Sequence, residues 1–222
     1  MDVIKQAHKE GRKILTEYEA KLILGSRGIP VVKERLAGSK RACRAAAVEI
    51  GFPVVMKGCA PGISHKTELG LVLLDIRNKR EAEEAFEKIA AKMPGGKPVV
   101  LIQEMIKGSR ELIVGLTRDA QFGPTVMFGL GGAFTEVLSN VAFRLAPFDR
   151  REAFDMIGQI NARKILDDIR GMGALDTGLL ADILVSVGNI AADYPDIKEI
   201  DINPFVISAG VPVAVDALVV LK

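Results

Sequence analysis

The sequence of 222 residues contains no tryptophan, and aromatic residues make up only 5% of it. That leaves too few stacking surfaces for a platform that binds single-stranded nucleic acid. Cysteine is nearly absent as well: Cys43 and Cys59 are the only two, which excludes a disulfide framework and a cysteine-based structural zinc site. No apolar run approaches the ~20 residues of a membrane helix. The amino terminus, MDVIKQAHKEGRKIL, mixes charge with apolar residues and has no secretory core. A cytoplasmic protein with reduced thiols and no membrane partner is expected. An excess of one charge sign is missing too. Lys and Arg number 30 against 28 Asp and Glu, a formal net charge of +2, which lacks the basic surplus of a dedicated nucleic-acid binder.

Hydrophobic residues, by contrast, make up 49% and charged residues 26%, enough apolar material to bury a sizeable core and to exclude intrinsic disorder. The length suits one domain or two closely packed lobes. The near-neutral total conceals an asymmetry: residues 1–100 carry 19 basic and 12 acidic side chains, residues 101–222 carry 11 and 16. The first half suits anionic ligands and the second suits cations.

Apolar spacing at Val3, Ile4, Ala7, Ile14 and Leu15 predicts a first amphipathic helix, an appendage over residues 1–15. Thr16 and Glu19 form a capping box for a helix stopping at Gly28. Residues 29–36 read as extended. Ser39 caps an alanine-rich helix closed by Gly51, and Pro53 to Lys57 reads as a short buried strand. Residues 58–69 form a loop before a strand over 70–76. Asn78 and Glu81 open a charged helix over 79–92, followed by a strand over 98–104. Residues 110–118 and 123–128 alternate as a hairpin. Helices are expected over 149–165 and 176–193, and strands over 197–208 and 211–221. Helices and strands mixed in both halves indicate an α+β, or layered α/β, fold of two lobes.

The terminal segment EIDINPFVISAGVPVAVDALVVL permits a register to be worked out. With Ala209-Gly210 as a two-residue loop, paired positions sum to 419 and Asn203 lies opposite Asp216. Directly opposed side chains have Cβ atoms ~4.5–5.5 Å apart, close enough for a carboxylate and an amide oxygen to share one hard cation. Asp201 shares that face. The same three residues also fit the solvated face of an antiparallel sheet, and alternation alone does not choose between the two.

This string resembles the carboxy-terminal signature of the ATP-grasp β subunits of nucleoside-diphosphate-forming acyl-CoA synthetases, and the resemblance covers the chain from about Thr16 to the end. It implies an ATP-grasp fold with the nucleotide between two lobes, here residues 16–103 and 104–222, and Mg²⁺ held by Asn203 and Asp216. The strand Gly51-Phe-Pro-Val-Val-Met-Lys57 resembles the one whose lysine meets the nucleotide's phosphates, which makes Val55, Met56 and Lys57 nucleotide-binding candidates. Glu104, Met105 and Ile106 resemble the hinge whose backbone meets the adenine edge. Glu111 resembles the carboxylate that accepts the ribose hydroxyls, as a carboxylate can accept two at once. Gly131 and Gly132, with Glu136 and then Arg144, resemble the segment over the phosphates. Asn140 stands where many relatives carry Asp.

Of the two histidines, His8 lies in the lysine-rich first helix. His65 lies in the loop GISHKTELG, which resembles the SHKSDVGGV-type loop of acetyl-CoA-synthesising relatives, whose histidine accepts a phosphoryl group. Glu68 and Leu71 replace the Asp and second Gly of that loop. A neutral imidazole is a competent nucleophile near pH 7. The resemblance therefore implies the β subunit of an ADP-forming acetate (acyl)–CoA ligase with catalytic residues His65 and Asp201, the latter serving either the histidine or the metal. It implies Mg²⁺ and ADP or ATP, and as partner a CoA-binding α subunit with a phosphorylatable histidine of its own, commonly in a heterotetramer. A succinyl-CoA-synthetase-like β subunit, a detached ATP-grasp domain of an acyltransferase-type protein and a non-catalytic nucleotide-binding regulator remain alternatives.

Overall fold

The computed structural model describes residues 3–63, 66–94, 97–108, 110–132, 141–160, 166–168 and 173–222. In chain order its elements are α1 (Val3–Lys9), α2 (Glu17–Ser26), β1 (Glu34–Ala37), α3 (Lys40–Ile50), β2 (Val54–Gly58), β3 (Val72–Ile76), α4 (Lys79–Ala90), β4 (Val100–Glu104), β5 (Glu111–Asp119), β6 (Gly123–Leu130), β7 (Val141–Leu145), α5 (Arg150–Gly158), α6 (Thr177–Asp193), β8 (Ile197–Ser208), β9 (Val211–Ala214) and β10 (Leu218–Leu221). Helix starts follow capping chemistry. The Thr16 hydroxyl accepts from the Glu19 N–H at 3.3 Å, and the Glu19 carboxylate accepts from the Thr16 N–H at 2.8 Å. Ser39, Asn78, Asp149 and Asp176 each accept from the backbone N–H three residues on, satisfying donors that a helix start otherwise leaves unpaired. Gly51 ends α3 at φ +97°, a conformation that favours glycine.

The chain divides into two compact units, residues 32–106 and residues 1–31 with 107–222. The smaller unit is an antiparallel sheet in the order β1-β4-β2-β3 with α3 and α4. Its core gathers Val54, Met56 and Ile102 from the sheet with Cys43, Phe86 and Ile89 from the helices. Burial pushes the Cys43 thiol up to about 12, leaving it protonated and inert.

The larger unit is a six-stranded sheet in the order β10-β8-β5-β6-β7, with β9 pairing beside β8. Leu112, Val114 and Leu116 of β5 and Val126, Phe128 and Leu130 of β6 form a core with Met156 of α5 and Leu180, Leu184 and Val187 of α6. Residues of opposite parity, among them Ile113, Gly115 and Met127, point to the other face. Among the described residues no helix is long and apolar enough to cross a membrane.

Five features differ from the sequence expectation. The amino terminus is not an appendage: Ile4 and Ala7 are buried, the Leu15 N–H donates to Val219 O at 3.0 Å, and the Leu221 N–H donates to Lys13 O at 2.7 Å. The expected boundaries at 15/16 and 103/104 fall instead at 31/32 and 106/107, because α2 buries Ala20, Ile23 and Leu24 in the core of the larger unit. The strand β7 appears where no element is expected. The last expected strand is broken into β9 and β10, and the helix over 149–165 ends at Gly158, with residues 161–165 outside the described residues.

Candidate functional site

The register of β8 decides where the carboxylates stand. Phe205 pairs with Ala214 and Ser208 with Val211, so the turn is the two-residue Ala209-Gly210, both at positive φ, as a tight hairpin requires. After the gap at 215–217 the pairing resumes with Leu218 opposite Asp201. Both stretches obey one register, and the Val215 N–H donates to Pro204 O at 3.2 Å inside the gap. That register brings Asp216 level with Asn203. Asn203 is exposed and Asp201 and Asp216 are half-buried. Asp201 also pairs with Gly115, and its neighbour on that face, Glu199, with Thr117. Burial, then the negative charges of Glu199 and Asp216, push the Asp201 carboxyl above its ordinary value.

This concentration of negative charge is what a bound cation would relieve. Among the described residues no three carboxylate, imidazole or thiol side chains converge into a closed metal cage. An amide and a carboxylate level with each other, with a second carboxylate beside them, form the incomplete oxygen set that suits Mg²⁺, which usually keeps waters and takes substrate phosphates.

The same face forms a recess of about 280 Å³ lined by Ile113, Gly115, Met127, Phe143, Glu199 and Asp201 among others. One wall is apolar and the other carries carboxylates. Two residues before Ile113 on β5, Glu111 meets the glycine pair. The Gly131 N–H donates to Glu111 O at 2.7 Å, and a Cβ at Gly131 would lie 3.1 Å from the Glu111 backbone. Gly132, at φ +66°, brings its backbone so close that a Cβ would lie 3.0 Å from Glu111 Oε2. The glycines thus let the loop lie against the carboxylate.

In the smaller unit, alternation along β2 sends Met56 into the helix-covered core and Val55 and Lys57 to the other face. Lys57 is 5% exposed and pairs with Leu101, while Val55 pairs with Gln103. The Glu104 carboxylate accepts from the Lys33 N–H at 2.7 Å, and the Glu104 N–H donates to Lys33 O at 2.9 Å. That side chain therefore braces the crossing, while Met105 and Ile106 are half-buried.

Arg144 stands apart from the group. On β7 it pairs with Val126, a core residue, so it shares the helix side of the sheet, and its guanidinium donates to the Gln159 side chain at 3.4 Å. The structure does not bring it to the face that carries Asp201 and Glu111. His65, Glu136 and Asn140 lie outside the described residues. Sequence reasoning did not single out Ile113, Gly115, Met127 or Glu199, although period-two alternation from Glu111 and Asp201 puts three of them on the same face. Arg110 was missed as well. It is buried, and its guanidinium donates to Asp167 O at 3.0 Å and Gly173 O at 2.6 Å.

A family model described as an ATP-grasp domain matches residues 6–221. The chain is 44% identical to the protein named acetate–CoA ligase [ADP-forming] I subunit beta of Pyrococcus furiosus, over 99% of this chain and 97% of that protein. It is similar to a solved structure of a Ca. Korarchaeum cryptofilum dinucleotide forming acetyl-coenzyme A synthetase in complex with coenzyme A and Ca-AMPCP, with a TM-score of 0.94 and 39% identity over all of this chain and 99% of that one. A second structure of that enzyme holds coenzyme A and Mg-AMPPCP with its phosphohistidine segment pointing towards the nucleotide binding site (TM-score 0.88, 38% identity, 100% of this chain and 99% of that one). The chain belongs to the ATP-grasp family, among the beta subunits of ADP-forming acetate–CoA ligases.

Proposed function

We propose that this chain is the nucleotide half of an ADP-forming acyl–CoA ligase, moving a phosphoryl group through His65 to bound ADP. The observation that supports this most is the single register that carries Asn203, Asp216 and Asp201 onto the same face as the recess and Glu111. The apolar wall of Ile113 and Met127 suits the base, Glu111 suits the ribose hydroxyls, and Lys57 with the backbone of Gly131 and Gly132 suits the phosphates. Glu104, Met105 and Ile106 form the crossing whose backbone meets the base edge. Asn203 and Asp216 would hold Mg²⁺, which when bound neutralises phosphate charge.

In the forward step the N–P bond of phosphorylated His65 breaks as an oxygen of the ADP β-phosphate forms the new O–P bond. The ring leaves as neutral imidazole because its other nitrogen carries a proton, and Asp201 would serve either that proton or the metal. Such transfer depends on in-line positioning and charge stabilisation more than on covalent help from the protein. The name of the Pyrococcus relative as a beta subunit supports an α-subunit partner, which would supply CoA binding and the first phosphorylation. A heterotetramer in the cytoplasm is the assembly proposed. The test is ATP formation from acetyl-CoA, phosphate and Mg·ADP by this chain with its α subunit. His65→Ala is expected to abolish it, and ATP formed at an unchanged rate would remove the histidine from the mechanism.

A further inference from the structure

Gly115 lies in the recess at a position where the protein's own packing does not require a glycine. It belongs to β5, an interior strand between β8 and β6, where glycine forgoes side-chain packing and loses more chain entropy on folding than alanine would. The glycines beside Glu111 are different, since a Cβ at Gly131 would lie 3.1 Å from its backbone and one at Gly132 3.0 Å from its Oε2. A Cβ at Gly115 would lie 3.5 Å from Met127 Cε and 3.6 Å from Ile200 O, both ordinary contacts, and the residue has no positive φ. The fold would therefore accept alanine. One row crosses the sheet at this point: Phe143 is opposite Met127, Met127 opposite Gly115, and Gly115 opposite Asp201. Along β5, Ile113 and Thr117 stand two residues to either side. Ile113, Thr117, Met127 and Asp201 thus frame the space that Gly115 leaves open, and all four line the recess.

We infer that Gly115 is a specificity-determining residue, whose missing side chain leaves the space that takes the terminal phosphoryl group of ATP. The inference rests on the nucleotide reading of the recess. Asp201 and Asn203 are two residues apart on β8, and Gly115 is level with Asp201 on the neighbouring strand. Two residues of strand span ~6.7 Å and neighbouring strands lie ~4.8 Å apart, which puts Gly115 about 8 Å from the Asn203 backbone. A divalent cation shared by Asn203 and Asp216 would hold the outer phosphates of a nucleotide, and the phosphoryl group farthest from the ribose then reaches the opening between Met127 and Asp201. ADP is one phosphate shorter and leaves that opening clear. A methyl group at position 115 would therefore obstruct ATP and spare ADP.

The test uses the chain in complex with its α subunit, as Gly115→Ala and as the larger Gly115→Val. Isothermal titration calorimetry measures Kd for Mg·ADP and for a non-hydrolysable analogue of Mg·ATP, and thermal scans read the fold. In Gly115→Ala the Kd for the ATP analogue rises roughly 10-fold or more, the discrimination that one methyl-sized group produces in a pocket, while the Kd for Mg·ADP is unchanged. Its Tm stays level or rises by roughly 1–4 °C, as expected for an unstrained glycine replacement. Gly115→Val weakens the analogue further. The inference is overturned if the two nucleotides weaken together, if neither weakens, or if Gly115→Ala lowers Tm, which would assign the glycine to the fold. An unsubstituted complex that binds neither nucleotide would overturn the nucleotide reading itself, and the role of Gly115 with it.

Discussion

Gly108→Ala and Gly158→Ala make the same chemical change at two sites, and the structure assigns them opposite signs. Gly108 follows the crossing at 106/107, and a Cβ there would lie 2.5 Å from the Ile207 carbonyl oxygen and 2.5 Å from Val206 Cγ1. Ordinary contact starts at 3.4 Å, so something must move by nearly 1 Å. The β8 backbone cannot yield freely, because the Ile207 N–H donates to Arg110 O at 3.0 Å and Ile207 is in register with Pro212. Overpacking of this kind costs about 1–3 kcal/mol. For a chain of this size, at about 2–4 °C per kcal/mol, that lowers Tm by roughly 2–12 °C. Gly158 ends α5 with nothing within 4 Å of the added Cβ and no positive φ. Alanine there restricts the unfolded chain and stabilises by about 0.5–1 kcal/mol, a rise of roughly 1–4 °C. Differential scanning fluorimetry on both variants measures the pair, and a titration of ADP adds a functional reading. Gly108 lies three residues before Glu111, so its variant should also raise the KM for ADP while Gly158→Ala leaves it alone. Shifts of equal sign, or Tm values within about 1 °C of each other, would refute the packing argument.

Two further perturbations follow from charge. Burial and the neighbouring Glu199 and Asp216 hold the Asp201 carboxyl above its ordinary value, so the folded state keeps its proton to higher pH than the unfolded chain does. Stability is therefore lost as pH rises from the ordinary carboxylate range through the raised value, and it stays lost above it. Asp201→Asn should raise Tm by a few degrees at pH 7 without Mg²⁺, with the gain shrinking towards pH 4, while ATP formation falls; thermal scans across pH decide it. Glu19 shows the opposite sign. Burial opposes its charge, but hydrogen bonds from Arg12 at 2.8 and 2.9 Å and from Thr16 outweigh burial and lower its carboxyl. That stabilisation is present above the ordinary carboxylate range and disappears as pH falls through the lowered value. Glu19→Gln should cost about 1–2 kcal/mol near neutral pH, the scale of a lost cap, and approach the unsubstituted Tm in acid.

The parts of the fold visible in the sequence were those governed by local chemistry. Thr16 with Glu19, Ser39 with Gly51, and Asp149 each state a helix end in a few residues. The break between β9 and β10 was not visible, because apolar spacing continues through Ala214, Ala217 and Val219 while the backbone leaves the ladder at 215–217. Strand β7 escaped for a related reason. Its five residues carry Phe143 and Leu145, both 53% exposed, so the buried side of the strand rests on Ala142 alone. A single alanine gives no periodic signal. Nor does sequence spacing reveal that Leu15 and Lys13 are stitched to the last strand, a pairing across the whole length of the chain.

The candidate site divides along the same line. The hairpin register was legible because a two-residue turn leaves one pairing, and every later pair on that ladder is arithmetic. It survives the gap at 215–217 because β10 returns to the ladder without a slip until Val220. Arg144 illustrates the limit. A motif places it one residue from Phe143, and in a strand one residue is the difference between the two faces of a sheet. Which face it takes depends on how β7 pairs with β6, and the partner that decides this is Val126, a residue whose burial comes from α5 and α6 and not from any nucleotide. A positively charged residue next to a site in sequence is thus tested by its cross-strand partner before its charge. Lys57 takes the face of its sheet away from the helices, since Leu101 and Leu36 share its row and the helix-side core consists of its neighbours Met56 and Ile102.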